Sequence, residues 1–437
     1  MKLRYISNAF ITVLFIWSSC WANDIKEYSL TLKDAVGLAL KQSRPLQIQK
    51  LKVEESGWMT REVKSGLYPQ IEGTLAQSRQ EVSMSANGSA LGGTVEYNIF
   101  NAKLGISQVI FNRSLQRAVE ASKLQEEVSQ DGYSASREAV TLQTIVLYLQ
   151  TLRAKAQLDA AVSRVDVAGA LKEQSDKFEK AGMGSRLETS RADLQYQNEL
   201  QTLSETSVLW EQTKLALSRY IGIEQDQPIV LSDAMKYDET PVVVFANIYP
   251  ACLDKRPDYI SAVKTKKALL KLAEKEKTAS WPVVGLQAGA GFSGEDPSHT
   301  DSVYSISLGV TWPIISGGRV EARYAQVSTQ IAQQDLQIKE LESQIEYEIR
   351  DALLALGAAS QQVESAQSGV KAAEITLKLT RSRYTAGVTT NIEVVDAQDT
   401  LARAQNNLIR AQFEYNLAKA NLAKSMGQAE DLYQPEK

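Results

Sequence analysis

Apolar residues recur every seven positions along two long stretches of the chain. In the second stretch, two interleaved stripes consist of Ile331, Ile338, Ile345, Ala352, Ala359, Ala366 and Ala373, and of Ile349, Leu356, Val363, Val370, Leu377 and Tyr384. This spacing is typical of helices that pack as coiled coils. No proline occurs within 70–227 or 314–434, and an interior proline would break a helix. Both intervals therefore predict long helices.

A strict alternation of apolar with small or polar residues precedes the second helical stretch. The apolar members are Tyr304, Ile306, Leu308, Val310 and Trp312. A period of two predicts a strand with one apolar face. Four strands are predicted at about 69–80, 100–111, 282–293 and 303–314, with a bulge or loop end near Ile99 and polar surface loops at 83–93 and 294–301.

The chain contains a tandem duplication. Gly182 and Gly387 lie 205 residues apart, and so do Gly222 and Gly427. Similar segments occur in both halves in the same order, which is typical of internal repeats. We predict a first repeat at 23–222 with a hairpin at about 112–222, a connector at 223–250, a second repeat at 251–427 with a hairpin at about 318–427, and a tail at 428–437.

The first 22 residues are predicted to be a signal peptide. Lys2 and Arg4 precede an apolar run that ends at Trp17, and Ala22 completes a small-x-small cleavage site. The alternative is a lipoprotein signal that is cut before Cys20. Either way, the protein is expected to be exported.

Composition argues against several classes of function. The formal net charge of −4 gives no basic surface for nucleic acid. A single histidine and two cysteines leave no metal cluster and no histidine-based triad with a credible setting. We therefore predict no enzyme activity, no cofactor and no bound metal.

The lengths of the predicted elements, together with export, favour a transmembrane β-barrel. A helix over Val320–Thr385 would be about 100 Å long. Strands of about ten residues with one apolar face suit a transmembrane barrel, and Tyr304 and Trp312 suit its interfacial girdles. The alternative is a soluble sheet with one wet face. Because about eight strands are the practical minimum for a barrel, a chain with four must oligomerise to form one.

The turn "RYTAGVTTNIEVVDAQDTL" and the following helix resemble the second-repeat hairpin of the TolC outer-membrane efflux family. The segments "LTLKDAVGLALKQSRPLQIQ" and "LGISQVIFN" resemble its opening and its second strand. The resemblance implies a homotrimer in outer-membrane lipid, with a twelve-stranded barrel and a twelve-helix periplasmic tunnel. It also implies passive export, by efflux or type I secretion, with a periplasmic adaptor and an inner-membrane transporter. The alternative function is an exported structural coiled coil or surface protein without channel activity.

The helix starts after Gly182 and Gly387 allow a purely structural interpretation. "SRLE" at Ser185 and "TNIE" at Thr390 both match the capping box. The two glycines suit left-handed helix ends. On this interpretation, Glu188 and Glu393 only satisfy amides at helix starts.

Asp396 favours a functional interpretation, because its repeat partner is Arg191 and the duplication does not require an acid there. The resemblance implies that Glu393 and Asp396 line the closed periplasmic tip of the tunnel. It also implies that Tyr384 helps to tie neighbouring hairpins. One position departs from the family pattern, because Thr389 stands where the best-known member has arginine.

Overall fold

The structure, a computed structural model, describes residues 28–86, 89–239 and 245–433. Its elements occur in the same order twice: a short strand, two helices, two long strands and two long helices. The predicted signal peptide with Cys20, and residues 434–437 of the predicted tail, lie outside the described residues.

The described part of the first half contains seven elements. They are β1 (Tyr28–Leu30), α1 (Leu32–Gln42), α2 (Arg44–Ser65), β2 (Gln70–Ala86), β3 (Ser89–Phe111), α3 (Arg113–Lys180) and α4 (Arg186–Ile221). The side chain of Asn112 accepts a hydrogen bond from the Leu115 amide at 3.0 Å and so caps the start of α3.

The second half follows the same order. Its elements are β4 (Ile229–Leu231), α5 (Phe245–Lys255), α6 (Pro257–Lys277), a 3₁₀ turn (Thr278–Ser280), β5 (Val283–Asp296), β6 (His299–Thr311), α7 (Arg319–Thr385), α8 (Asn391–Ser425) and α9 (Ala429–Tyr433). Helix α7 has 67 residues and is about 100 Å long, as predicted. Within the described ranges, no helix combines the length and hydropathy needed to cross a membrane.

The long elements form one layer, four elements wide. The sheet order is β2-β3-β5-β6, with antiparallel neighbours throughout. Next to the sheet, the packed helices follow the order α2-α3-α6-α7, and farther away the order is α4-α3-α8-α7. At every level, the layer therefore ends with an element of the first half on one side and with β6 or α7 on the other.

Each long hairpin ends against the last residue of a short helix, α4 against α1 and α8 against α5. Gly222 and Gly427 end the two hairpins with φ of +83° and +67°. A Cβ atom on Gly222 would lie 3.0 Å from the Cβ of Gln42, and one on Gly427 would lie 3.2 Å from the Lys255 carbonyl oxygen. Glycine therefore permits both the left-handed turn and the close approach of the end of α1 or α5.

The predicted heptad stripes face neighbouring helices. Ile345, Ile349 and Val363 of α7 are fully buried, as is Val394 of α8. Small residues such as Ala359 and Ala411 lie between the two helices in a shared apolar cluster. The coiled-coil prediction for this hairpin is confirmed.

A compact apolar cluster joins the small β1–β4 sheet to α1, α3 and α4. Tyr148 is fully buried there, and its hydroxyl lies 2.9 Å from the Leu30 carbonyl oxygen and 2.8 Å from the Asp233 carboxylate. Burial and the neighbouring carboxylate raise the pKa of Tyr148, so the phenol stays neutral. The cluster holds the middle of α3 against the last turns of α4.

Arg256 makes the corresponding polar junction in the second half. Its side chain is 4% exposed and contacts Asp258 at 2.6 Å and Glu348 at 2.7 Å. It also donates to the Ser425 carbonyl oxygen at 3.3 Å, and so joins α6 to both α7 and α8. Burial alone would raise the pKa of Asp258 and of Glu348, but the hydrogen bonds and charge of Arg256 outweigh it and hold both below their ordinary values.

The predicted surface loops are wrong in extent. Strands β2 and β3 run through most of 83–93, of which the structure does not describe residues 87–88. Strands β5 and β6 are separated only by Pro297 and Ser298. The predicted bulge near Ile99 is also wrong, because Ile99 pairs in register with Ser78. The irregularity between β2 and β3 lies at Ser83–Ser85. The polar composition of 83–93 and 294–301 favours loops, but polar segments can also pair as strands.

The predicted boundary at residue 250 falls inside α5. This helix begins at Phe245 and contains Pro250, although the prolines had suggested an irregular connector. Pro250 lies only five residues into the helix. At this position the missing N–H removes one i→i−4 hydrogen bond, and the remainder of the helix is kept.

Candidate functional site

Both hairpins turn with the same backbone geometry. Gly182 and Gly387 each have φ of +71°. In the second turn, the Gly387 amide donates to the Tyr384 carbonyl and the Val388 amide donates to the Arg383 carbonyl, both at 3.0 Å. This pair of bonds is a Schellman motif. The prediction that both glycines end helices in the left-handed conformation is confirmed.

The two predicted capping boxes differ. Ser185 and Glu188 form one, with the Glu188 carboxylate 3.1 Å from the Ser185 amide. Thr390 makes no side-chain cap, so the prediction of a second box is wrong. The Glu393 amide donates to the Thr390 carbonyl oxygen at 3.2 Å, as the Glu188 amide does to the Ser185 carbonyl oxygen. The Glu393 carboxylate lies 3.6 Å from the Arg383 guanidinium.

Glu393 and Asp396 lie on one exposed face at the start of α8. The residues that follow each of them, Val394 and Ala397, are buried. Within the described residues, the Asp396 carboxylate has no hydrogen-bond or ion-pair partner. Neither acid is therefore occupied as a cap, and both side chains are exposed.

Hydrogen bonds join the two hairpins just behind these acids. The Asn391 amide donates to Ser175 Oγ at 2.9 Å and to the Glu188 carbonyl oxygen at 3.1 Å. The Tyr384 hydroxyl lies 3.2 Å from Ser175 Oγ, and its ring centroid is 5.5 Å from that of Phe178. Tyr384 thus connects the two hairpins of one chain.

Sequence analysis did not identify Ser175 and Asn391. Asn391 is fully buried and Ser175 is 2% exposed. A weak signal existed, because Asn391 lies seven residues before the buried Gln398 and so continues a helix stripe. Nothing in the sequence indicated its partner, which is 216 residues away.

One face of the sheet carries apolar residues from all four strands, although Gln77 and Gln108 interrupt it on β2 and β3. The register places Ile71 opposite Ile106, Ala288 opposite Ile306, and Leu286 opposite Leu308. Directly paired residues share a face. The predicted apolar face of β6 is highly exposed: Tyr304, Ile306, Leu308 and Val310 are 66–85% accessible, and Trp312, just beyond the strand, is 61% accessible. The opposite face carries small or polar residues such as Gly289 and Ser307.

This apolar face is four strands wide, and β2 and β6 each have one unpaired edge in the described chain. Contiguous exposed apolar surface of this extent marks a contact with lipid or another protein. Within ranges 28–86, 89–239 and 245–433, no group of three or more acids, histidines or cysteines could hold a metal ion.

An apolar sheet continued by long helical hairpins is the arrangement found in outer-membrane channel proteins. The chain belongs to the outer membrane efflux protein family, whose profile matches residues 35–223 and 248–428. The predicted family and the outer-membrane location are therefore confirmed.

Named relatives share low identity over nearly the whole chain. The outer membrane efflux protein BepC of Brucella suis is 23% identical over 407 residues, which cover 91% of this chain and 86% of that protein. The probable efflux pump outer membrane protein TtgC of Pseudomonas putida is 24% identical over 416 residues, which cover 91% and 82%.

Solved structures share the fold. The CmeC outer membrane channel of Campylobacter jejuni gives a TM-score of 0.79 at 20% identity, with 91% of this chain and 86% of that chain covered. The MtrE outer membrane channel of Neisseria gonorrhoeae, in its open state, gives 0.76 at 19% identity, with 91% and 89% covered. The predicted fold class, barrel strands combined with long tunnel helices, is confirmed.

Proposed function

We propose that this chain is the exit duct of a tripartite export system. Three copies form a passive channel that crosses the outer membrane and extends into the periplasm. The duct docks to a periplasmic adaptor and an inner-membrane transporter, and the transporter supplies the energy. The protein acts without a cofactor and without catalysis.

The observation that carries this proposal is the matching set of free edges in the sheet and helix layers. Strand β6 of one copy can pair with β2 of the next, while α7 packs against α2 and α4 of that copy. Such a head-to-tail contact generates a ring when its rotation closes. Three copies supply twelve strands, which exceeds the minimum of about eight for a barrel.

The apolar face supports insertion in lipid. With that face outward, Leu308 and its neighbours contact acyl chains, while Ser307 and the glycines of β5 face a lumen. Trp312 lies at the end nearest the helices, where an indole suits the membrane interface. The sheet is thus placed in the membrane and the hairpins in the periplasm.

The acids at the tip support a periplasmic constriction. Ring closure brings three copies of Glu393 and Asp396 together at the end of the tunnel. Like charges that face one another repel and attract cations. The Ser175, Tyr384 and Asn391 contacts join the two hairpins within each copy and so fix the position of that copy's acids. Thr389, which stands where the best-known family member has arginine, lies two residues before Asn391.

Among export systems, we favour efflux over type I secretion. The relatives BepC and TtgC both carry efflux in their names. The competing function is an exported structural coiled coil or surface protein without a channel.

The mass and conductance of the detergent-solubilised protein distinguish these functions. We expect a trimer that gives discrete conductance steps in planar lipid bilayers. A monomeric or dimeric rod that never inserts would refute the duct and favour the structural protein. A trimer that inserts without conducting would retain the assembly and refute the open path.

Neutralising the tip is expected to change ion selectivity. The double variant Glu393→Gln with Asp396→Asn should weaken cation preference and reduce block by multivalent cations. Folding should be preserved, because Asp396 caps nothing and the exposed Glu393–Arg383 pair contributes about 0–1 kcal/mol. Single-channel recordings in mixed salts measure both effects.

The matched control removes two exposed acids from the body of α7, Glu364→Gln with Glu374→Gln. The formal charge change is the same, but both positions lie away from the turn. If the control and the tip variant shift selectivity and block equally, the tip carboxylates do not form the constriction.

A further inference from the structure

A polar cavity of about 440 Å³ lies at the seam between the two hairpins, away from the tip. Arg153 and Arg164 of α3, Glu205 of α4, and Asn406, Asn407 and Arg410 of α8 contribute to its wall. The cavity thus touches both halves of the duplicated fold. Its volume lies within the range of small-molecule sites, roughly 300–1,000 Å³.

The cavity carries an excess of positive charge. Among the described residues, neither Arg153 nor Arg410 has a carboxylate within ion-pairing distance. Arg153 stacks over the ring of Phe413, with its guanidinium carbon 5.2 Å from the centroid. Three arginines thus share a wall with one acid, Glu205, and one of the three, Arg164, is paired with Glu199.

Arg164 has a free donor inside the packed helices. Its Nε donates to Glu199 at 2.9 Å, with side-chain exposures of 13% and 11%. Its Nη1 is buried and has no partner among the described residues. A buried donor without an acceptor costs free energy, so an acceptor that reached Nη1 would be stabilising.

A second cavity of about 50 Å³ adjoins the first at Arg164. Gln398 of α8 lines it and is 9% exposed. Its amide nitrogen and oxygen are both buried without partners among the described residues. The contact between the two hairpins therefore contains the buried side-chain amide of Gln398 as well as the guanidinium donors of Arg164.

We propose that the 440 Å³ cavity binds a small oxyanion, a solute that carries carboxylate or phosphate groups. Guanidinium groups form paired hydrogen bonds with both kinds of oxyanion. The side-chain amides of Asn406 and Asn407 supply further neutral donors.

Binding of an oxyanion in this cavity is also expected to stabilise the fold. The oxyanion connects α3 of the first hairpin with α8 of the second. A ligand that binds only this folded arrangement stabilises it by mass action. Occupancy therefore strengthens the seam without contacting the acids of the tip.

The test uses the full-length protein in detergent, with citrate and inorganic phosphate as probes. Calorimetric titration and thermal unfolding are compared with those in sodium chloride of equal ionic strength. We expect binding of at least one probe and a rise in Tm that saturates with its concentration. Preference for citrate identifies a carboxylate site, and preference for phosphate identifies a phosphate site.

Arg410→Gln and Arg403→Gln form a matched pair. Both arginines are exposed on α8, seven residues apart, but only Arg410 lines the cavity. We expect Arg410→Gln to weaken binding about tenfold or more, as the loss of a charge-assisted hydrogen bond implies, and Arg403→Gln to leave it unchanged. Equal effects of the two variants, or no saturable binding of either probe at millimolar concentration, would overturn the proposal.

Discussion

Replacing Arg256 by methionine is expected to lower the free energy of unfolding by about 3 kcal/mol. Removing one partner of a buried ionic cluster typically costs about 3–5 kcal/mol, because the remaining charges lose their compensation. The lower end applies because Lys424 stays 3.4 Å from Glu348 and part of the Asp258 carboxylate is exposed. Chemical denaturation in detergent at fixed protein concentration measures the loss.

The duplication supplies the control for this variant. Arg44 also precedes a proline at the start of a helix, but it is exposed. Arg44→Met should therefore change stability by less than about 0.5 kcal/mol. Equal losses at the two positions would show that the second-half network contributes nothing beyond helix-start effects.

The contribution of Arg256 should also depend on pH. Asp258 and Glu348 have folded-state pKa values below their ordinary values. Their ionised forms therefore stabilise the fold above the unfolded-state pKa of about 4, and this stability is lost as pH falls through the lower folded-state values. The difference between the parent and Arg256→Met should shrink under those acidic conditions.

Replacing Leu308 by arginine is expected to destabilise the inserted protein by about 2–4 kcal/mol, the cost of a cationic side chain near the bilayer midplane. Leu308 is 69% exposed on the apolar face of the sheet, opposite Leu286. Unfolding from lipid vesicles measures this loss.

Ser307→Arg places the same charge one residue away, on the polar face opposite Gln287. This variant should assemble normally and change the single-channel conductance, because its side chain faces the proposed lumen. Equal assembly defects in both variants would contradict the assignment of the two faces.

Local periodicity made the layer architecture predictable. The heptad stripes and the alternation in β6 depend on residues within a few turns of each other, so a single sequence reveals them. The same holds for Gly182 and Gly387, where the chain must adopt a left-handed turn. These signals were sufficient to predict a long hairpin and a sheet with one apolar face.

Long-range contacts explain the errors. The limits of a strand depend on its pairing partners. Ile99 of β3 pairs in register with Ser78 of β2, so the predicted bulge at Ile99 is not formed. At the tip, Thr390 matched a capping motif, but the adjacent Arg383 offered Glu393 an ionic partner. The bond between Asn391 and Ser175 joins residues of different repeats, and no local pattern reports such a contact.

The proposed head-to-tail contact, in which β6 of one copy pairs with β2 of the next, affects cells that make two versions of this protein. Each copy must accept one neighbour at β2 and offer β6 to another, so one defective edge leaves the whole ring open. If half of the copies carry a β6 defect and subunits mix at random, only about one eighth of the proposed trimers contain three sound copies. A mutation at this edge is therefore expected to be dominant over the intact gene, whereas a mutation that prevents the chain from folding should be recessive.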